Sequence, residues 1–229
     1  MPNDFDDDLT SHIDEATIQQ AFQTKFPSPI LTGGSKLSKQ EKITRIADHF
    51  HSIMEVLGLD LSDDSLKRTP YRIAKMYVEE VFSGLDPDTF PRISFIEDRF
   101  QKNGKPNMVF VKTSFCSFCE HHFVPMNGVA YIAYLPNKKL IGLSKIPRLV
   151  RFFARRPQVQ ERLTAQIADA LSIVTGSEHV AVSICAQHDC MIARGVETED
   201  SHAITNVLNG EFDINPTLRK EFFDALAQK

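Results

Sequence analysis

The apolar residues change their spacing once along the chain, and that change limits the fold more than any other feature. Before about residue 100 they recur as on a helix: Ile43, Ile46, Ala47, Phe50, Met54 and Leu57 fall on one face of a 3.6-residue repeat. Ser38 and Glu41 form a capping-box pair in front of them, which predicts a helix beginning just after Ser38. A second helix is predicted from Thr69-Pro70, with the threonine as cap and proline at the first helical position. Its apolar line is Ile73, Met76, Tyr77 and Val81, and Gly84 ends it. From Asn107 the pattern becomes that of strands: Met108 to Phe115 and Val129 to Leu135 are rich in Val, Ile, Tyr and Phe. Helices are then predicted over 146–155 and over 157–175, the latter stopped by Gly176, followed by a strand over 179–188. Asn215-Pro216 opens a terminal helix running to about Ala227. Strands, then helices, then strands predict an α+β fold with a mainly antiparallel sheet. Three regions follow: an arm over 1–37, mobile or docked on a partner; a helical region over 38–100; and a sheet-bearing catalytic domain over 101–229.

Composition narrows the function classes. No apolar run reaches membrane-spanning length, and Met1 to Glu15 is acidic and polar rather than basic and then apolar. A cytoplasmic protein without a membrane partner is expected. The net charge of −4 gives no reason to expect a nucleic-acid partner, so an anionic ligand would need a local basic cluster. The 4 cysteines, Cys116, Cys119, Cys185 and Cys190, lie close to histidines, which in a cytoplasmic chain suggests metal before disulfides.

The densest chemistry is Cys116-Ser117-Phe118-Cys119-Glu120-His121-His122, with His188-Asp189-Cys190 about seventy residues later. Thiolate and imidazole in tetrahedral array suit zinc. Two arrangements compete. A closed structural site would use all four cysteines; an open catalytic site would use Cys119, His122 and Cys190 and leave one position for water. On a strand, His188 and Cys190 share a face with Val180, Val182 and Ile184, while Cys185 points the other way with Ala181 and Ser183. A four-cysteine site therefore needs a bulge. The adjoining His121 and His188 have a use only in the catalytic arrangement. His12, His49, His51, His179 and His202 have no chemical neighbours in sequence and read as ordinary core or surface residues.

Gly142-Leu143-Ser144-Lys145 closes a short apolar strand and opens a helix, with Ser144 placed to cap it and Lys145 in its first turn. Free N–H groups and the positive end of the helix dipole favour phosphate there. Arg148 lies on the same helical face as Lys145, Arg194 follows the second ligand cluster, and Arg72 lies in the first turn of the earlier helix. For each arginine alone, a solvated surface charge is the better reading; the helix start bearing Lys145 and Arg148 together is what points to phosphate. Gln160-Glu161 sits inside the helix predicted from Pro157. A carboxylate there is ordinarily solvated, but it can also accept both hydrogens of a guanine edge.

Several of these stretches together resemble a known family. Cys119-Glu120-His121-His122-Phe123, Ile141-Gly142-Leu143-Ser144-Lys145-Ile146, the run from Phe152 to Thr164, His188-Asp189-Cys190-Met191 through Arg194-Gly195, and the helix from Thr69 to Met76 closely resemble zinc-dependent GTP cyclohydrolase I, from about residue 40 to the C-terminus. The resemblance implies a tunnelling fold, an antiparallel sheet with helices on one face, assembled as a homodecamer with interfacial sites. It implies one zinc per subunit on Cys119, His122 and Cys190, and catalytic histidines His121 and His188. Triphosphate would be held by Ser144, Lys145, Arg148, Arg194 and Arg72, and guanine by Gln160 and Glu161. Ser144 and Lys145 would also assist the ribose rearrangement. Cys116, which makes a CxxC, and Asp189 depart from the family pattern; the Asp189 carboxylate is placed to orient His188 or raise its pKa. Rival readings are a non-catalytic structural-zinc module, a zinc nucleoside deaminase, and a tunnelling-fold relative acting on another purine or pterin. The deaminase pattern of His-x-Glu followed by Pro-Cys-x-x-Cys is not met.

Overall fold

The computed structural model describes residues 11–31, 34–101, 106–198 and 200–227. Its centre is a five-stranded sheet in the order β6-β3-β4-β7-β8, built from β3 (Val109–Cys119), β4 (Pro125–Tyr134), β6 (Pro157–Gln158), β7 (Val180–His188) and β8 (Ala203–Leu208). All neighbours are antiparallel except β3 and β6. A smaller sheet joins β1 (Ser11–His12), β2 (Ser94–Glu97) and β5 (Lys139–Ile141). The α+β arrangement with a mainly antiparallel sheet expected from the sequence is the one found.

Alternation along the strands decides where the core lies. Ala130, Ile132, Val182 and Ile184 are fully buried on one sheet face. They pack beneath α4 (Lys145–Ala154) and α5 (Gln160–Thr175), whose Leu149, Phe153, Leu163 and Ile167 complete the same cluster. The other face carries the small residues Ala181, Ser183 and Cys185 of β7. At one end of it Ala133 and Ala181 are covered by Phe212 and Phe222 from α7 (Glu211–Ile214) and α8 (Pro216–Leu226). Asn215 caps α8, accepting from the Thr217 and Leu218 N–H groups.

In the N-terminal half, α2 (Lys39–Val56) begins with the expected capping box: the Ser38 N–H donates to Glu41 Oε2 at 2.8 Å and the Glu41 N–H to Ser38 Oγ at 3.3 Å. The following α3 (Thr69–Met76) differs from expectation at its start. Thr69 is already helical, Arg68 occupies the cap position, and no side chain caps the helix. A π-helical turn over Tyr77–Val81 continues it. Edge-on ring contacts run from Phe50 to Tyr77 to Phe82 and on to Phe118 and Phe123, tying the helical region to the loop after β3.

Part of the segment predicted as an arm is described. Helix α1 (Glu15–Gln23) lies against the body, with Ala21 fully buried. The Lys25 N–H donates to Asp169 Oδ2, and Gln166 Nε2 donates to the Phe26 carbonyl. Arg156, 1% exposed, stacks its guanidinium within 4.8 Å of the rings of Phe22, Phe152 and Phe153 and donates from Nε to the Gly84 carbonyl. Burial lowers its pKa to about 10.

A candidate metal centre and nucleotide site

Strand β3 runs as far as Cys119, four residues past the end expected from its composition, and the chain then reverses over Glu120–Val124 into β4. Two backbone bonds close this loop: Cys119 N–H to the Val124 carbonyl and Phe123 N–H to the Cys119 carbonyl, both 2.9 Å. Phe123 takes a left-handed φ of 55°, costly for a residue with a Cβ, and its ring is held 5.2 Å from that of Phe82. The tight reversal turns the two histidines of the loop back toward the strand end. His121 Nδ1 and His122 Nδ1 lie 3.8 and 3.9 Å from Cys119 Sγ.

Cys190 arrives from the other side of β4. It does not extend β7, as the alternation argument supposed. The strand ends at His188, and Cys190 sits in the short helix α6 (Asp189–Ile192). The turn of helix brings its sulfur to the two donors of the loop. Ligand atoms of Cys119, His122 and Cys190 all lie within 4.8 Å of one another and can hold a metal ion. The other two cysteines stand apart from this group. Cys185 pairs in register with Val129 and Ile204 within the sheet, and Cys116 is exposed opposite Asn127. Burial and the neighbouring Cys119 push the Cys190 thiol up, and Arg194 opposes the shift. A neighbouring sulfur that disfavours the Cys190 thiolate is a poor partner for a bare thiol and a good one around a cation.

His188 is half-buried, and its pKa is lowered by burial against an opposing pull from the Glu161 carboxylate. Glu161, rather than Asp189, is thus the acidic neighbour that acts on this ring; Asp189 acts on Cys116, whose thiol is raised by burial and then by that carboxylate. Glu161 is exposed in the first turn of α5. That helix starts at Gln160, three residues later than the proline suggested, because Pro157–Gln158 pairs in parallel with Phe118–Cys119. The pairing fixes Gln160 and Glu161 beside the metal loop.

The basic residues distribute unevenly. Arg194 Nη1 lies 3.3 Å from His122 Nε2, directly at the metal group. Lys145 is the first residue of α4 and 3% exposed, and Arg148 is exposed one turn later. Ser144 does not cap α4 with its side chain. It takes helical dihedrals itself, and its residue is exposed, because the Lys145 N–H closes a turn onto the Gly142 carbonyl at 2.8 Å. Arg72 is exposed on α3 and makes no hydrogen bond or ion pair with these groups among the described residues. Of the histidines set aside earlier, His51 pairs with Glu55 and His179 Nδ1 accepts the Glu211 N–H, while His49 and His202 are exposed; the side chain of His12 lies outside the described residues.

Sequence reading missed one pair. Arg162 Nη2 donates to Glu120 Oε2, and the other carboxylate oxygen lies 3.9 Å from His121 Nε2. The Glu120 N–H also donates to the Gln158 carbonyl at 2.9 Å. The two partners are 42 residues apart, so no local spacing could join them.

The family model for GTP cyclohydrolase I matches residues 46–227. The chain is 52% identical over 191 residues to GTP cyclohydrolase 1 of Aeromonas salmonicida, covering 83% of this chain and 86% of that protein. It is 52% identical over 189 residues to GTP cyclohydrolase 1 of Tolumonas auensis, covering 82% and 86%. Among solved structures, the archaeosine synthase QueF-Like in the apo form aligns with 44% of this chain and 93% of its own, at 15% identity and a TM-score of 0.37. With most of its length matched by the family model and by relatives sharing half its residues, the chain belongs to the GTP cyclohydrolase I family.

Proposed function

We propose that this chain opens the imidazole ring of GTP at a zinc centre formed by Cys119, His122 and Cys190, releasing formate and forming 7,8-dihydroneopterin triphosphate. The observation that carries the reading is the convergence of two thiols and one imidazole within 4.8 Å, beside His121, His188 and Arg194. The donor set fits zinc: three N/S ligands are the number a catalytic site uses, and soft sulfur selects against magnesium or calcium. When bound there, the ion supplies a water acidic enough to act as a nucleophile near neutral pH.

The remaining work belongs to the chain. Glu161 presents an exposed carboxylate that accepts the N1–H and exocyclic amine of guanine and so selects it over adenine. Lys145 and Arg148 on α4, with Ser144 before them and Arg194 from the other side, hold the triphosphate and set C8 of the purine against the metal group. Ser144 and Lys145 also assist the later ribose rearrangement, a role that rests on the family likeness. His188 brings a proton to purine N7, which makes C8 electron-poor, and His121, steadied by Glu120 and Arg162, serves proton transfer as the ring opens. Two waters enter, one on ring opening and one on release of formate, and one leaves when the pterin ring closes. The likeness to the GTP cyclohydrolase I family is what supports assembly into a homodecamer with interfacial sites, in which the exposed Arg72 would serve a neighbouring copy's triphosphate. A cytoplasmic setting suits a GTP-consuming enzyme. No helix among the described residues is long and apolar enough to cross a membrane.

The test is incubation of the purified protein with GTP, with and without chelator. Formate release and a fluorescent pterin after oxidation are expected, both abolished by the chelator and restored by zinc. Metal-replete protein that releases neither would refute the assignment.

A further inference from the structure

Gln160 was expected to read guanine together with Glu161, but its side chain is already committed. The residue is 2% exposed. The two protons of its carboxamide nitrogen are shared among three acceptors, the Ile184 carbonyl at 3.1 Å, the Ala203 carbonyl at 2.9 Å and Thr205 Oγ1 at 3.1 Å. Its oxygen faces His188 Nε2 at 2.8 Å.

The surroundings leave one way round for the amide. Flipping it would set its oxygen against two backbone carbonyls that have only lone pairs to offer. The hydroxyls agree. Thr164 Oγ1 donates to the Gln160 carbonyl at 2.8 Å, so the 2.6 Å contact between Thr164 and Thr205 must use the Thr205 proton, and Thr205 can accept from Gln160. Protons therefore run from the Gln160 amide nitrogen through Thr205 and Thr164 to the Gln160 backbone carbonyl, and the side-chain oxygen, Oε1, is left facing His188 as an acceptor. His188 must therefore donate from Nε2.

We propose that Gln160 is a positioning residue: it holds the His188 ring by Nε2, fixes the tautomer that carries the proton there, and leaves Nδ1 as the atom presented to the substrate. The inference rests on the functional reading above and sharpens it. With Nε2 engaged as a donor to Gln160, Nδ1 is the ring nitrogen left to exchange a proton with the substrate. Guanine selection then rests on Glu161 and on backbone groups. The orienting strand is β8, through the Ala203 carbonyl and the Thr205 hydroxyl.

The tautomer is read directly from the 15N spectrum of histidine-labelled whole protein, in the solid state so that assembly size is no obstacle, with His188 assigned by its loss in His188→Ala. In the wild type Nε2 should resonate as a protonated nitrogen and Nδ1 as an unprotonated one. Gln160→Leu should mix the two forms, lower kcat for GTP about 10- to 100-fold, as loss of an orienting partner typically does, and leave GTP affinity of the chelator-treated protein within about twofold. Thr205→Val, which keeps the shape of its side chain, should shift the same signals in the same direction and carries the test if Gln160→Leu does not fold. Unchanged His188 signals in the variants that fold would overturn the proposal. So would a tenfold loss of GTP affinity with kcat intact, the result expected if the amide reads the base. If the wild type releases no formate from GTP, the functional reading fails, while the spectrum still decides the tautomer.

Discussion

Gly128 offers a sharp test of how closely the sheet must fit to form the metal group. It lies in the middle of β4, opposite Phe115 on one side and Ala186 on the other. A Cβ at Gly128 would stand 2.6 Å from Ala186 Cβ, 2.6 Å from the Cys185 carbonyl oxygen and 2.9 Å from Ala186 Cα. Carbon contacts are comfortable at about 3.5–4.0 Å, so β4 and β7 would have to separate by roughly 1 Å. None of the obstructing atoms can rotate aside, since all are backbone or Cβ. Overpacking of this kind costs about 1–3 kcal/mol, and each weakened ladder bond adds about 1 kcal/mol, so Gly128→Ala is expected to cost about 3 kcal/mol or more. The functional effect should exceed the loss of folded protein. His188 lies two residues past Ala186, in register with Met126, and Cys190 follows, so the same displacement moves both relative to Cys119. A misplacement near 1 Å is worth about 100-fold in rate. Denaturant unfolding at fixed protein concentration, with GTP turnover per folded molecule, measures both effects. Gly176→Ala is the control: its Cβ would meet open space, but its φ is +64°, so it should cost about 1 kcal/mol through backbone strain and leave turnover intact. A Gly128→Ala protein with wild-type unfolding midpoint and turnover would refute the reasoning.

The ligand set predicts a division among the cysteines. Dividing the roughly 10–16 kcal/mol of a four-ligand zinc site by its ligands gives about 3 kcal/mol each, so Cys119→Ser or Cys190→Ser should weaken zinc binding by about 100-fold or more. Cys116→Ser and Cys185→Ser should keep wild-type metal content by elemental analysis after dialysis, and metal loss in either would favour the closed structural site. The Glu120–Arg162 pair, whose side chains are 23% and 17% exposed, predicts that Arg162→Met costs about 1–2 kcal/mol in denaturant unfolding. Glu120→Gln in the same chain should recover part of that loss, because it removes the stranded charge; no recovery would show that the pair is not the source.

Much of this was legible in the chain because it is local. The capping box at Ser38 and Glu41, the Asn215 cap, and the strand compositions around Val109 and Val129 each depend on neighbours within a few residues. The convergence of Cys119, His122 and Cys190 could be anticipated from ligand chemistry, and the resemblance selected the set. What escaped depends on distant partners. The proline rule placed the start of α5 at Pro157, but pairing with β3 claims Pro157–Gln158 first. Ser144 has the right chemistry for a cap, yet the turn onto Gly142 gives it helical dihedrals instead. Strand β8 is six residues long with polar Thr205 and Asn206 inside it, too weak a pattern to stand out. Missing it hid the anchors of Gln160. Asp189 beside His188 in sequence suggested an electrostatic partner, whereas the fold supplies Glu161, 27 positions away by numbering.

The metal donors sit on opposite sides of β4: Cys119 and His122 at the end of β3, Cys190 just beyond β7. An ion can grip all three only after the central hairpin has accepted its third strand, so a disordered chain offers it at most a fragment of the site. Capture of the ion therefore ratchets the assembled sheet. At a free concentration a hundred times its Kd it would deepen the native well by about 2.7 kcal/mol, without a single added protein contact. During synthesis the first two donors leave the ribosome long before the third, so secure metal loading would mark the moment at which β7 has docked.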